Sequence, residues 1–148
     1  MTAFVIVVMT AVSIPVLTPR YQAYQMRSAA WQVAGDMRLA RQRAVTTRVC
    51  YRFAFADTTA ASDPNSYVIQ HATPGGCSDP WIQEIPAGQG MRQRLAGAIH
   101  IDPSSTSTSG NITFYPNGRV FGGTIRLTGP GGAVRTVTVD SVGRVQVD

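Results

Sequence analysis

The chain has no lysine, a single glutamate, two cysteines and no charged residue before Arg20. Each shortage removes a class of explanation. Without lysine the phosphate-cradling pattern G-x-x-x-x-G-K cannot occur, and the metalloprotease pattern H-E-x-x-H and the nucleophile elbow G-x-S-x-G are missing as well. The basic content is therefore all arginine, which reflects a GC-rich genome as readily as any chemistry. Cys50 and Cys77, with 26 residues between them, fit no zinc or redox spacing. They read either as a structural disulfide, expected if the domain lies in an oxidising compartment, or as two unpaired thiols, one of them buried. The lack of a basic residue ahead of the first apolar run argues against a cleaved signal peptide, whose start is basic.

What is present is 148 residues, 44% of them hydrophobic, enough for one domain with a core and an appendage. The appendage is the opening, MTAFVIVVMTAVSIPVL, placed at a terminus where chains ordinarily fray into solvent. Ala3 to Leu17 is short of the roughly 20 apolar residues of a transmembrane helix, and Pro15 interrupts it, with Pro19 following. The remaining reading is a helix that begins in a membrane or an assembly and continues into the soluble domain as its spine. Phe4, Val5, Ile6, Val8, Met9, Val12, Ile14, Pro15 and Leu17 are the residues expected to form the embedded segment. At about 1.5–3 kcal/mol for each large apolar side chain taken out of water, leaving them exposed is untenable. The two prolines predict a kink, because each removes an amide donor and crowds the preceding turn.

Beyond Pro19 the periodicity is helical. Met26, Ala30, Val33, Met37, Ala40 and Ala44 recur at spacings of three and four on one face, and arginines and glutamines cover the rest. Only Gly35 opposes the assignment, by about 1 kcal/mol, and the helix is expected to end near Thr47. From residue 48 the pattern alternates. VCYRFAFA, SYVIQHA, WIQEI, AIHID, NITFY, RVFGGTIRLT, AVRTVTVD and GRVQV predict short strands. PNG at 116–118 and GPGG at 129–132 predict hairpin turns, and PSSTSTSGN a polar loop. The fold class is α+β, a long N-terminal helix packed on an antiparallel sheet. Residues 1–20 form the embedded part of the helix and 21–148 the globular domain, with amphipathic helix over about 21–47 and β-structure over 48–148.

No catalytic constellation emerges, and neither a metal nor a cofactor is expected. His71 and His100 each fall inside a predicted strand and read as structural. Asp57 and Asp63 lack EF-hand spacing, and nothing marks Cys77 as an activated nucleophile. The net charge of +5 favours acidic partners. Arginines 20, 27, 38, 41, 43, 48 and 52 meet only Asp36 in that interval, a basic zone open to anionic lipid or nucleic acid.

The helix passage ending LARQRAV, FYPNGRV at 114–120 and the terminal SVGRVQVD, in that order along one chain, resemble the GspH/FimT group of minor pilins and pseudopilins. These are type IV pilin-like subunits of type II secretion systems and type IV pili. The resemblance implies a structural subunit without catalysis. Its apolar helix rests in the inner membrane, with the globular domain in the periplasm, until assembly. The helix then moves into the centre of a helical filament of other pilins or pseudopilins. The group's precursors carry a basic leader ending in glycine and a glutamate soon after it, neither of which is present here. The chain is therefore expected to start downstream of the true start. Some FimT-type members are DNA receptors with a C-terminal G-R-x-R signature. The matching positions are Gly143, Arg144, Val145 and Gln146, so one of the two arginines is kept. As the alternative function, Arg144 with Arg119, Arg126 and Arg135 would form a basic DNA-binding patch. Otherwise these are solvated arginines beside Asp140 and Asp148.

Overall fold

The structure, a computed structural model, describes residues 2–55, 65–78, 80–83, 93–95, 97–102, 110–121 and 123–148, with side chains from residue 20 onward. The side chains of the embedded segment, those of Pro15 and Pro19 included, together with Asp57, Asp63 and most of the PSSTSTSGN loop, lie outside what is described.

A single helix, α1, spans Thr2–Thr47 and neither proline ends it. At 1.5 Å per residue its 46 residues extend about 69 Å. It stops where Arg48 enters the left-handed region (φ 56°), and the Thr46 and Thr47 hydroxyls donate to the Gln42 and Arg43 carbonyls of the last turn (3.0 and 2.7 Å). Among the described residues no helix is long and apolar enough to cross a membrane.

The strands are β1 (Tyr51–Ala54), β2 (Ser66–Ala72), β3 (Trp81–Gln83), β4 (Gln93–Arg94), β5 (His100–Asp102), β6 (Asn111–Phe114), β7 (Val120–Phe121), β8 (Gly123–Thr128), β9 (Val134–Val139) and β10 (Val145–Val147). They build two antiparallel sheets. One is ordered β3-β2-β1-β6-β7 with β4 also on β2, and the other β10-β9-β8-β5. The stretch RVFGGTIRLT, expected as one strand, becomes β7 in one sheet and β8 in the other. Its Gly-Gly pair offers no side chains to hold a continuous strand together. The two-residue β4 went unanticipated, being too short to show a period.

Both sheets close over the same face of the helix. Met26, Ala29, Ala30, Val33, Ala34, Met37, Ala40 and Ala44 are all buried, against Phe53, Tyr67, Ile112 and Phe114 of one sheet and Ile125, Leu127, Val137, Val139 and Val145 of the other. Five of those eight helix positions are alanine, so the sheets approach the helix backbone closely and the large residues come from the strands. The His71 ring is half-buried beside Tyr51 (centroids 5.8 Å apart), while His100 is exposed at the start of β5.

A buried tyrosine makes a polar contact across this interface. Tyr67, fully buried and stacked on Phe53 (4.4 Å), donates its hydroxyl to Asp36 Oδ2, and Gln32 Nε2 donates to the same hydroxyl (3.3 Å). Burial, then the hydrogen bond to Asp36, pushes the Tyr67 phenol well above its ordinary pKa. A raised pKa means the neutral form is favoured by the fold. That contribution is complete below the unfolded value near 10 and declines as pH rises beyond it. Tyr67→Phe should therefore cost about 1–3 kcal/mol at neutral pH by leaving Asp36 short of its partner. The variant should also lose part of the alkaline fall in stability above pH ~10, as read by urea midpoints across pH.

Cys50, fully buried just past the helix end, is disulfide-bonded to Cys77 in the loop between β2 and β3, with Cα atoms 5.2 Å apart. The Ala72 amide donates to the Cys50 carbonyl (2.9 Å), so the bond fastens that loop to the head of β1. A Cys50→Ala/Cys77→Ala variant should lose about 2–4 kcal/mol of stability, measurable as an equal fall when the unmodified chain is reduced.

Candidate functional site

The two segments richest in sequence signal, YPNGR and DSVGR, fold into the same turn. In the first, the Gly118 amide donates to Tyr115 O (3.0 Å) and the Tyr115 amide to Arg119 O (2.9 Å). In the second, the Gly143 amide donates to Asp140 O (2.9 Å) and the Asp140 amide to Arg144 O (3.1 Å). Gly118 and Gly143 occupy the left-handed region at φ 80° and 78°, which explains glycine at the fourth position of each. A side-chain oxygen organises both loops. Asn117 Oδ1 accepts from the Arg119 amide (3.0 Å), and Asp140 Oδ1 accepts from the Val142 and Arg144 amides (3.1 and 2.8 Å). The Arg144 amide, reinforced by its guanidinium 3.3 Å from Oδ2, holds the Asp140 carboxyl below its usual pKa. The turns lie side by side, because the Val120 amide donates to Ser141 O (3.1 Å).

Helix α1 clamps the second turn. Arg38 Nη2 donates to Val145 O (3.2 Å), and Arg41 lies so close to Gly143 that a Cβ there would clash with Arg41 Nε. Sequence reasoning missed both contacts, since an arginine outside the apolar stripe looks like solvent-facing decoration. A hollow of about 420 Å³ is lined by Arg41, Asn117, Gly118, Arg119, Ser141 and Val142. A second, of about 320 Å³, lies across Arg119 against Tyr115 and Phe121. Among the described residues no group of three or more His, Cys, Asp or Glu is placed to hold a metal.

The four arginines considered for DNA do not all share one face. Arg126 pairs with Thr136 on the outer face of the β10-β9-β8-β5 sheet, away from the helix, and Arg144 precedes β10 at that face's end. Arg135 pairs with the buried Leu127 and therefore lies on the helix side. Arg119 sits in the other turn.

A helix spine under two antiparallel sheets, with paired Gly-Arg turns at one end, is the arrangement of a type IV pilin-like subunit. The family profile described as Type II transport protein GspH matches residues 29–143, and the chain belongs to this family of minor pilins and pseudopilins. No curated protein sequence matches. Among solved structures, the chain is similar to the minor pseudopilin EpsH from the Type 2 Secretion System of Vibrio cholerae (TM-score 0.62, 11% identity, 84% of this chain and 96% of that one). It is also similar to E. coli GspH (TM-score 0.63, 12% identity, 84% and 88%). A third likeness is the type IV minor pilin FimU of Pseudomonas aeruginosa (TM-score 0.58, 17% identity, 85% and 90%).

The two glycines should respond differently to alanine. Gly118→Ala meets nothing within 4 Å and bears only the left-handed backbone cost, about 1–2 kcal/mol. Gly143→Ala bears that cost and must also displace Arg41, so its unfolding midpoint should fall further. Arg41→Ala in the Gly143→Ala background should recover the difference.

Proposed function

We propose that the chain is a minor subunit of a type II secretion pseudopilus or a type IV pilus, carrying no catalysis of its own, with residues 1–20 as the part embedded in the inner membrane and then in the filament. The observation that carries this is the division of labour along α1. Among the described side chains the buried stripe runs from Met26 to Ala44, while the helix itself begins about 36 Å earlier, at Thr2. That leading stretch holds the uncharged apolar sequence. Lipid and neighbouring helices are equivalent hosts for such a surface, because hydrocarbon chains are as apolar as leucine. Transfer between the two then depends on helix packing rather than on a hydrophobic gain. The Cys50–Cys77 disulfide supports a globular domain on the periplasmic side, because such bonds persist in oxidising compartments. DNA capture draws less support, since Arg126 and Arg135 lie on opposite faces of their sheet.

Removing residues 1–20 should leave a folded, soluble domain, judged by cooperative unfolding, that is absent from both membrane and sheared-filament fractions. A truncated domain that still sediments with either would show that another surface is the anchor.

A further inference from the structure

The half of α1 that the sheets grip has a second, unburied face with its own pattern. Arg20, Tyr24, Arg27, Trp31, Arg38 and Val45 follow one another at spacings of four, three, four, seven and seven, which aligns them along one line of the helix over about 37 Å. All six are exposed, Tyr24 by 71% and Trp31 by 48%. The Arg38 guanidinium sits 5.8 Å from the centre of the Trp31 ring. From the sheet side, Arg135 and Val147 join Arg27 and Trp31 around a hollow of about 190 Å³, and a further hollow of about 270 Å³ lies between Arg38, Arg41 and Val45. Between Trp31 and Arg38 stands Gly35, exposed and with nothing within 4 Å of where its Cβ would be. Neither packing nor φ requires glycine there, and glycine is a poorer helix former than any residue but proline. What it provides is a bare stretch of backbone beside the tryptophan.

We propose that this face is a docking surface for the acidic face of a different polypeptide chain, which in the filament reading above is a neighbouring subunit of another kind. Arginine, tryptophan and tyrosine are the residues enriched at protein interfaces, and here they alternate beside shallow hollows lined by arginine with Trp31, Val45 and Val147. Charge selects the occupant. A second copy of this chain offers no matching helix face, since the only acid on α1, Asp36, accepts the Tyr67 hydroxyl. An acidic helix or strand laid along the face would pair with Arg27, Arg38 and Arg135 while covering Trp31 and the Gly35 backbone.

The test uses the full chain in nonionic detergent and two labelled probes, a 20-residue alternating Glu-Ala peptide and a 20-base-pair DNA duplex, with a Gln-Ala peptide as blank. Arg27→Gln/Arg135→Gln should weaken binding of the Glu-Ala peptide by roughly tenfold or more, and Trp31→Ala by severalfold. Arg48→Gln/Arg126→Gln removes the same charge beyond the helix end and on the outer sheet face, and should change it by less than about threefold, as screened bulk charge does. Equal losses in the two double variants would overturn the proposal by reducing it to net charge, and so would tighter binding of the duplex than of the acidic peptide. This outcome is separable from the filament reading. A chain that still enters filaments through residues 1–20 while its two double variants bind the acidic peptide equally well sinks the docking face alone.

Discussion

The structure depends on how closely two sheets approach one helix. Alanine at positions 29, 30, 34, 40 and 44 removes side-chain bulk from the helix, and Phe53, Tyr67, Phe114, Ile125 and Leu127 fill the space from the strand side. Close-packed interiors tolerate little change in volume, so this one stripe holds both sheets at once. Among the described residues the Val120 amide also donates to the Ser141 carbonyl between them. The helix is therefore the centre of the core.

Polar contacts then fix what apolar packing leaves free. A smooth stripe of alanines specifies distance better than register. Asp36 and Gln32 meeting the Tyr67 hydroxyl set the helix against one sheet, and Arg38 on the Val145 carbonyl with Arg41 against Gly143 set it against the other. Each of these side chains lies at the border of the buried stripe, where one end can be dry and the other wet. The same border supplies the exposed arginines and aromatics, so one helix serves core, clamp and outer face by rotation about its axis.

The paired turns show how a short signature can be structural in origin. Gly118-Arg119 and Gly143-Arg144 resemble a binding motif when read as letters. In three dimensions each glycine closes a hairpin in the left-handed region and each arginine is the first residue beyond it. Asp140 engages Arg144 through amide and guanidinium alike. The turn chemistry alone therefore accounts for the glycines without any ligand, while the arginines project from adjacent loops at one end of the domain.

Local chemistry was enough to read much of this from the residues. The helix end near Thr47 and the buried positions Met26, Val33, Met37 and Ala44 followed from a 3.6-residue period. The α+β class followed from the change to alternation after residue 48, and the turns at 116–118 and 129–132 from proline and glycine. Family membership was legible because turn glycines and a small-residue helix leave a fixed order of letters. Contacts between distant positions were not legible. The splitting of RVFGGTIRLT between two sheets, the Asp36–Tyr67 bond, the Arg41–Gly143 approach and the opposite faces taken by Arg126 and Arg135 all depend on which strand lies beside which. Period and propensity describe a residue's own neighbourhood along the chain. Strand order and the face a side chain shares with remote residues are settled only when the whole core closes around the helix.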